Sequence, residues 1–474
     1  MGEGPNGFAK LVLLLWPIVS LIALSRTRNP VRTATSVFFA GFLLLPEQTF
    51  WKIPGLPEFG KNSIVPLWVL LGLVSFHRPR LRGRFRLDAF SSLVLATILA
   101  CGTITGASNG DALRWGATLL PGITAYDGFQ MALGDVFVFF VPFYLARVLY
   151  RTREDLNELF RGLVKAALWV SPIALFEMRM SPQLHNWFYG FIPIDSWDQV
   201  VRAGGYRPLG FTRHGLAFVL YFFAATLAAI ALRRERKPNG RRVVGLWVAP
   251  FLAMITFAFG SLGAALYTMV GIALLLFVPA RLQLVVALVA GLFVLSFPYQ
   301  RWHDTFPTEK FVENARAQAD EERAQSLEFR FLNEEMLLER VKMRPIVGWG
   351  EFGRANVYDT FSGRRITVRD GAWIIQFGDR GLLGLVWMFG MLVLPLIASV
   401  FAAARARKEH RRSIAALAVL LAIGAIDLLP NGAFHPLAFT FAGAMLGQLA
   451  ALGARVKVPV RVRRARRSAA LVPA

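Results

Sequence analysis

Three short groups of residues in this chain have the types and spacing to hold an anion or move a proton. The first is Tyr206-Arg207-Pro208-Leu209-Gly210-Phe211-Thr212-Arg213-His214-Gly215. A guanidinium grips phosphate or carboxylate oxygens in a planar, two-pronged way. Arg207 and Arg213, with His214 beside them, therefore read as an anion site; their stems could equally lie along lipid while their heads reach the headgroups. The second group is Ser326-Leu327-Glu328-Phe329-Arg330 with Glu334 and Glu335, in a polar stretch of helical period. Arg330 and Glu334, four apart, also fit a simple pair on a solvated helix face. The third is Arg369-Asp370, separated by ten residues from Gly381-Leu382-Leu383-Gly384. A carboxylate just outside an apolar run can take a proton from a hydroxyl, or only cap the helix that follows. His185 and the His303-Asp304 pair are lone residues of these types and read as structural or solvent-exposed.

Several other chemistries are excluded. No His, Asp and Glu cluster has metal-ligand spacing and HExxH is absent, so no metal site is expected. There is no Walker A sequence. Gly348 to Gly353 matches GxGxxG, but it follows a predicted helix and not a strand, so a dinucleotide site fails on context and no cofactor is expected. Cys101 is the only cysteine, which rules out an intrachain disulfide and a multi-cysteine metal site. Asp135, Glu177 and Asp427 are the notable ionisable residues within apolar runs. An ion-coupled transporter would carry more of them, paired near the midplane.

The elements that must position these groups are membrane spans. The chain has 474 residues, of which 55% are hydrophobic and 13% aromatic, and its mean hydropathy is +0.47, above a soluble globular protein. Apolar runs of spanning length fall near 8–25, 33–49, 62–77, 87–107, 129–149, 160–178, 211–232, 243–259, 262–280, 282–298, 379–402, 413–429 and 435–453. The first lacks a basic n-region and a cleavage site, so it reads as a retained helix. The fold class is all-α: a polytopic integral membrane protein of about 12–14 transmembrane helices in a single domain.

A net charge of +23 would suggest nucleic acid in a soluble protein. Here the cations cluster in short loops at 26–32, 78–86, 147–153, 233–242 and 405–412 and in a basic tail at 454–474. All of these fall on one side of the spans. By the positive-inside rule that side is the cytoplasm, with the tail against anionic lipid, and no nucleic acid partner is expected. The opposite face receives a single large polar segment, 299–371. Within it a helix is predicted to begin at Thr308-Glu309 and to stop before Pro345. The glycines of Gly381-Leu382-Leu383-Gly384 predict close helix contact.

The order of these groups resembles the bacterial O-antigen ligase and Wzy-type polysaccharide polymerase superfamily. Arg207-Pro208-Leu209-Gly210-Phe211 resembles its arginine motif at the outer end of a span. The segment from Phe257 to Gly263 resembles its Ser-Arg-Gly element, with Leu262 where the arginine would be. Ser326 to Arg330, continuing to Pro345-Ile346-Val347-Gly348-Trp349-Gly350, resembles the start of its large periplasmic loop. Asp370, ten residues, then Gly381 resembles its His-x10-Gly element, with Asp in place of His. The resemblance implies a metal-independent, inverting glycosyltransferase of the GT-C type in the bacterial inner membrane, its active site facing the periplasm. The donor would be an undecaprenyl-diphosphate-linked glycan. Arg207 and Arg330 fall where the family binds diphosphate, and Asp370 where it places its general base. Trp349, Tyr358, Trp373 and Gln376 are candidate surfaces for a sugar acceptor, and Arg369 is a further candidate for substrate binding. A polymerase, with a possible chain-length regulator as partner, is the first expectation. A ligase passing the glycan to lipid A-core, or a polysaccharide or lipid-linked-sugar transporter, are the alternatives.

Overall fold

The computed structural model describes residues 4–194, 197, 200–202, 205–235, 242–318, 321–432 and 436–456. The basic tail from 457 onward, part of the 233–242 loop and the end of the 430–435 loop lie outside the described residues. The described chain is predominantly helical. It passes back and forth between two ends, one carrying the long polar segment and one carrying the arginines.

Helices α1 (Gly7–Ser25), α2 (Pro30–Leu44), α3 (Lys61–His77) and α4 (Ala89–Ala107) make the first passes. The next pass is composite: α5 (Ala125–Asp135), one π-helical turn (Val136–Phe140) and α6 (Val141–Leu149). Then come α7 (Arg153–Met180), the short α8 (Leu184–Tyr189), α9 (Gly215–Arg233), α10 (Val248–Ala258), α11 (Leu262–Phe277) and α12 (Ala280–Trp302). The polar segment contributes α13 (Thr308–Gln318) and α14 (Glu321–Lys342), and α15 (Ala372–Ala403), α16 (Lys408–Asp427) and α17 (Leu437–Val456) complete the bundle. Two small antiparallel hairpins, Leu113–Trp115 with Thr118–Leu120 and Val201–Arg202 with Gly205–Tyr206, lie between helices.

Local chemistry sets many of the helix starts. Asn6, Asn29, Asp88 and Ser261 accept backbone N–H groups as N-caps, satisfying donors that a helix leaves orphaned. Thr124 with Asp127 and Thr152 with Asp155 form reciprocal capping boxes. The second box starts α7 at Arg153, a full turn and more before the apolar run that predicts it, because the cap lies in polar sequence. Inside the bundle, hydroxyls are satisfied locally: Thr35, Thr226, Thr256 and Thr268 donate to the carbonyl one turn back.

Among the described residues, seven helices are long and apolar enough to cross a membrane, and four shorter ones are also apolar. Their placement supplies the physical argument. α9 is the buried axis, lined from Ala217 to Leu232 by residues packed on their neighbours. The outer helices do the reverse: Leu93, Phe277, Val289 and Phe401 expose between 60% and 81% of their surface. A water-soluble fold does not display apolar faces of this extent, whereas hydrocarbon solvates them. The chain is therefore a multi-pass, all-α membrane protein.

The loop-bearing end is defined by contacts between termini. The Asn6 N–H donates to the Tyr189 carbonyl at 2.9 Å, and Arg344 reaches Asn109 just beyond α4 at 2.5 Å. At the other end Arg84 donates to the Leu149 carbonyl at 3.1 Å, Arg153 pairs with Glu235 at 2.6 Å, and Arg411 donates to the Ala403 carbonyl at 2.9 Å. The single helical pattern read between Thr308 and Pro345 is two helices. α14 ends at Lys342 and buries Leu337, Leu338 and Val341.

Candidate functional site

The polar segment is held to the bundle by a break in α15. Gly381 has φ +66° and ψ −161° inside that helix, a conformation essentially restricted to glycine. The break leaves backbone groups on both sides without intrahelical partners, and the Pro345–Gly350 stretch replaces them. The N–H groups of Trp349 and Gly350 donate to the carbonyls of Gly378 and Asp379, at 2.8 and 2.9 Å. In return, the N–H groups of Leu382 and Leu383 donate to the carbonyls of Pro345 and Ile346, at 2.8 and 3.3 Å. Thr105 and Asn109, at the end of α4, bond the Val347 and Gly348 carbonyls at 2.6 and 3.0 Å. The glycines predicted to allow helix–helix contact thus serve a different purpose: Gly381 admits the backbone of the loop.

Charged side chains gather around this break. Arg380, almost wholly buried, pairs with Asp135 at 2.8 Å and Glu351 at 2.5 Å. Asp379 pairs with Arg369. Asp135 stands at the entry to the π-helical turn, a local irregularity common at functional positions. The signal for this network was two adjacent charges, Asp379-Arg380, heading an apolar run. The partner carboxylates lie far away in sequence.

Beside the break lies an outward-opening polar cavity of about 710 Å³. One wall is the end of the polar segment, with Asn356, Arg365, Arg369 and Asp370; another is Arg213 and His214 ahead of α9; a third is the 47–63 stretch running into the start of α3, and apolar groups such as Val138, Tyr221 and Ile375 complete the lining. Arg330 on α14 stands against Asp370, with Nε 3.6 Å from Oδ2 and both side chains about one-third exposed. It also donates to the Pro430 carbonyl at 3.4 Å. The second and third sequence groups therefore meet. Arg213 and His214 from the first line the same cavity as Asp370, and Arg330 stands behind Asp370. His214 caps α9, its Nδ1 accepting the Leu216 N–H at 3.1 Å.

Arg207 does not line this cavity. It is buried, and its methylenes pack where a side chain on Gly215 would go. The turn it belongs to is fixed by Glu177, whose carboxylate accepts the N–H groups of Leu209, Gly210 and Leu184 at 2.9, 2.7 and 3.2 Å. Ser261 caps α11, and its neighbour Phe259 packs on Phe218 and Phe222 of α9.

The aromatic candidates are used as framework. The guanidiniums of Arg340 and Arg344 both lie over the Trp349 ring, at 3.3 and 4.3 Å from its centroid, and its indole N–H donates to the Arg340 carbonyl at 2.9 Å. Burial, with the charges of Arg344 and Arg354 beside it, pushes the Arg340 guanidinium down to about 10. Trp373 is fully buried against Phe297, its N–H donating to Glu334 at 3.2 Å. Tyr358 stacks on Trp115 at 4.7 Å and donates to the Gly353 carbonyl. Gln376 is buried in the first turns of α15. None of the four lines the cavity; Trp349, Tyr358 and Trp373 are engaged in seating the loop.

His185 is structural. Its Nε2 accepts the Glu47 N–H at 3.2 Å while Nδ1 meets the Phe191 carbonyl at 2.8 Å. Burial pushes it down to about 4, so it is neutral. Asn356, Arg365 and the 47–63 wall carried no motif by which to single them out; only the tertiary fold brings them to Asp370. No protein-family model matches this chain, and no curated protein is similar to it in sequence.

Proposed function

We propose that this protein is a membrane glycosyltransferase that joins lipid-diphosphate-linked oligosaccharide repeat units into a surface polysaccharide. The carrying observation is the Arg330–Asp370 pair at a polar cavity on the loop-bearing end of an apolar bundle. The reading also draws on the motif order that resembles the O-antigen ligase and Wzy-type polymerase superfamily. Its Asp, where ligases typically have His, favours the polymerase.

The step is a displacement. An acceptor hydroxyl oxygen bonds to the anomeric carbon, the bond from that carbon to the diphosphate oxygen breaks, and the lipid diphosphate leaves with the electron pair. Asp370 takes the hydroxyl proton. Arg330 faces the charge that develops on the departing phosphate, where a fixed guanidinium typically lowers the barrier by several kcal/mol. The energy resides in the donor linkage, so no nucleotide is needed. Arg369, beside Asp370, is held in place by its pair with Asp379.

Reconstitution in liposomes with a lipid-linked repeat unit tests this reading. Products should form a ladder on the lipid. Asp370→Asn should slow turnover by roughly a hundredfold or more, and Arg330→Ala should abolish polymer while the protein still inserts. Normal chain lengths in both variants would remove the catalytic assignment. A single transfer to a lipid A-core acceptor would mark a ligase.

A further inference from the structure

Every carboxylate facing the cavity has a cation of its own. Glu47 is held by Lys61 at 2.7 Å, Glu58 by Lys52 at 2.6 Å, and Asp370 by Arg330 at 3.6 Å. Lys61 is further occupied by the Phe211 carbonyl at 2.7 Å, and Arg369 by Asp379. Two guanidiniums are left over. Arg213 and Arg365 both line the cavity, and among the described residues neither has an ion-pair or hydrogen-bond partner for its side chain.

Both are carried on anchored backbone. Arg213 lies between Thr212, whose hydroxyl donates to the Leu209 carbonyl at 2.8 Å, and the α9 cap His214. Arg365 is in a hairpin closed by its bridge to Tyr358 and by the Ile366 N–H to the Val357 carbonyl at 3.0 Å.

A third group points to the ligand. Asn356 lines the same cavity, is 4% exposed, and its Oδ1 is buried without a partner. A buried amide oxygen left unpaired costs free energy. The Asn356 amide therefore meets the cavity with its Nδ2 edge, a neutral hydrogen-bonding group suited to a hydroxyl-rich ligand.

We infer that the cavity takes an acidic saccharide: a glycan whose carboxylate, or other sugar-borne anion, is gripped by Arg213 and Arg365 while a neighbouring hydroxyl accepts from the Asn356 amide. This rests on the glycosyltransferase reading and specifies its substrate class. The volume, about 710 Å³, is within the usual range for a bound small molecule and accepts several sugar rings.

Calorimetry on the full-length protein in lipid nanodiscs can decide this, with tetragalacturonate and its fully methyl-esterified, uncharged form as probes. The acid should bind about tenfold or more tightly than the ester, and only the acid should weaken as salt is raised. Arg213→Gln and Arg365→Gln should each weaken the acid about tenfold and leave the ester unchanged. Because neither side chain holds the fold together, both variants should unfold at the wild-type temperature. Asn356→Leu should weaken both forms alike. Equal binding of acid and ester, indifferent to the two arginines, overturns the acidic preference and leaves the glycosyltransferase reading standing. Inorganic diphosphate binding the arginine pair more tightly than tetragalacturonate reassigns the pair to a lipid headgroup and overturns the inference. Binding of neither saccharide, together with no ladder in reconstitution, overturns both.

Discussion

Glu334 stands one turn beyond Arg330 on α14 and is the titratable group most closely tied to the seat of the loop. One oxygen lies 3.3 Å from Arg301 at the end of α12, and the other accepts the Trp373 indole N–H at 3.2 Å. Burial pushes this carboxyl up to about 7 from an ordinary 4.5; Arg301 and Trp373 pull it partway back. The sign of the linkage follows. Between those two values the folded state binds a proton that the unfolded chain has released, so folding is favoured by acid. The contribution is fully present below about pH 4.5 and is lost as the pH rises through about 7. Its size is at most about 3 kcal/mol. Thermal unfolding in detergent between pH 4.5 and 8 should show stability falling over that window, and Glu334→Gln should flatten the slope. An unchanged slope in that variant would place the titration elsewhere.

At the scale of elements, the joint between the Pro345–Gly350 stretch and the break in α15 fixes where Asp370 and Arg330 can be. Gly381 occupies a backbone region nearly closed to other residues, and a Cβ there would run into the Ile346 carbonyl. Gly381→Ala should therefore destabilise the protein by roughly 1–3 kcal/mol from backbone strain alone, more if the collision parts the four exchanged hydrogen bonds. The melting temperature should fall and polymer formation should fall with it. An unaltered melting temperature would mean the break is not required. The spans themselves were legible because apolar length is written locally in the chain, and the predicted starts of α1, α3, α4 and α11 lie within two residues of the observed ones. The joint was not legible. It consists of backbone hydrogen bonds between segments some thirty residues apart, and such bonds leave no mark on residue type. The same reason misdirected the aromatic candidates. Trp349 and Tyr358 in a glycine-rich loop suit sugar stacking and arginine stacking equally, and only the positions of Arg340, Arg344 and Trp115 decide between them.

For the whole molecule, the charge distribution orients the bundle. Arg80, Arg84, Arg147, Arg153 and Arg411 crowd one end, joined across helix termini by hydrogen bonds to the Arg28, Leu149, Arg84 and Ala403 carbonyls and by ion pairs to Asp155, Asp88 and Glu235. The cavity opens at the other end. Positively charged loops are retained in the cytoplasm, so the cavity should face away from it. That side is where a lipid-linked glycan can be used without competition from nucleotide chemistry. The prediction can be read with cysteine labelling, because the single native thiol, Cys101, is buried and should stay silent. Phe361→Cys places a thiol at a position 92% exposed on the cavity-bearing end; Arg82→Cys places one on the arginine end. In spheroplasts an impermeant maleimide should label the first variant at once, and the second only after the membrane is permeabilised. The reverse pattern would put the cavity in the cytoplasm, where an externally displayed lipid diphosphate is out of reach, and the proposed donor would fall with the orientation even if the Arg330–Asp370 geometry were sound.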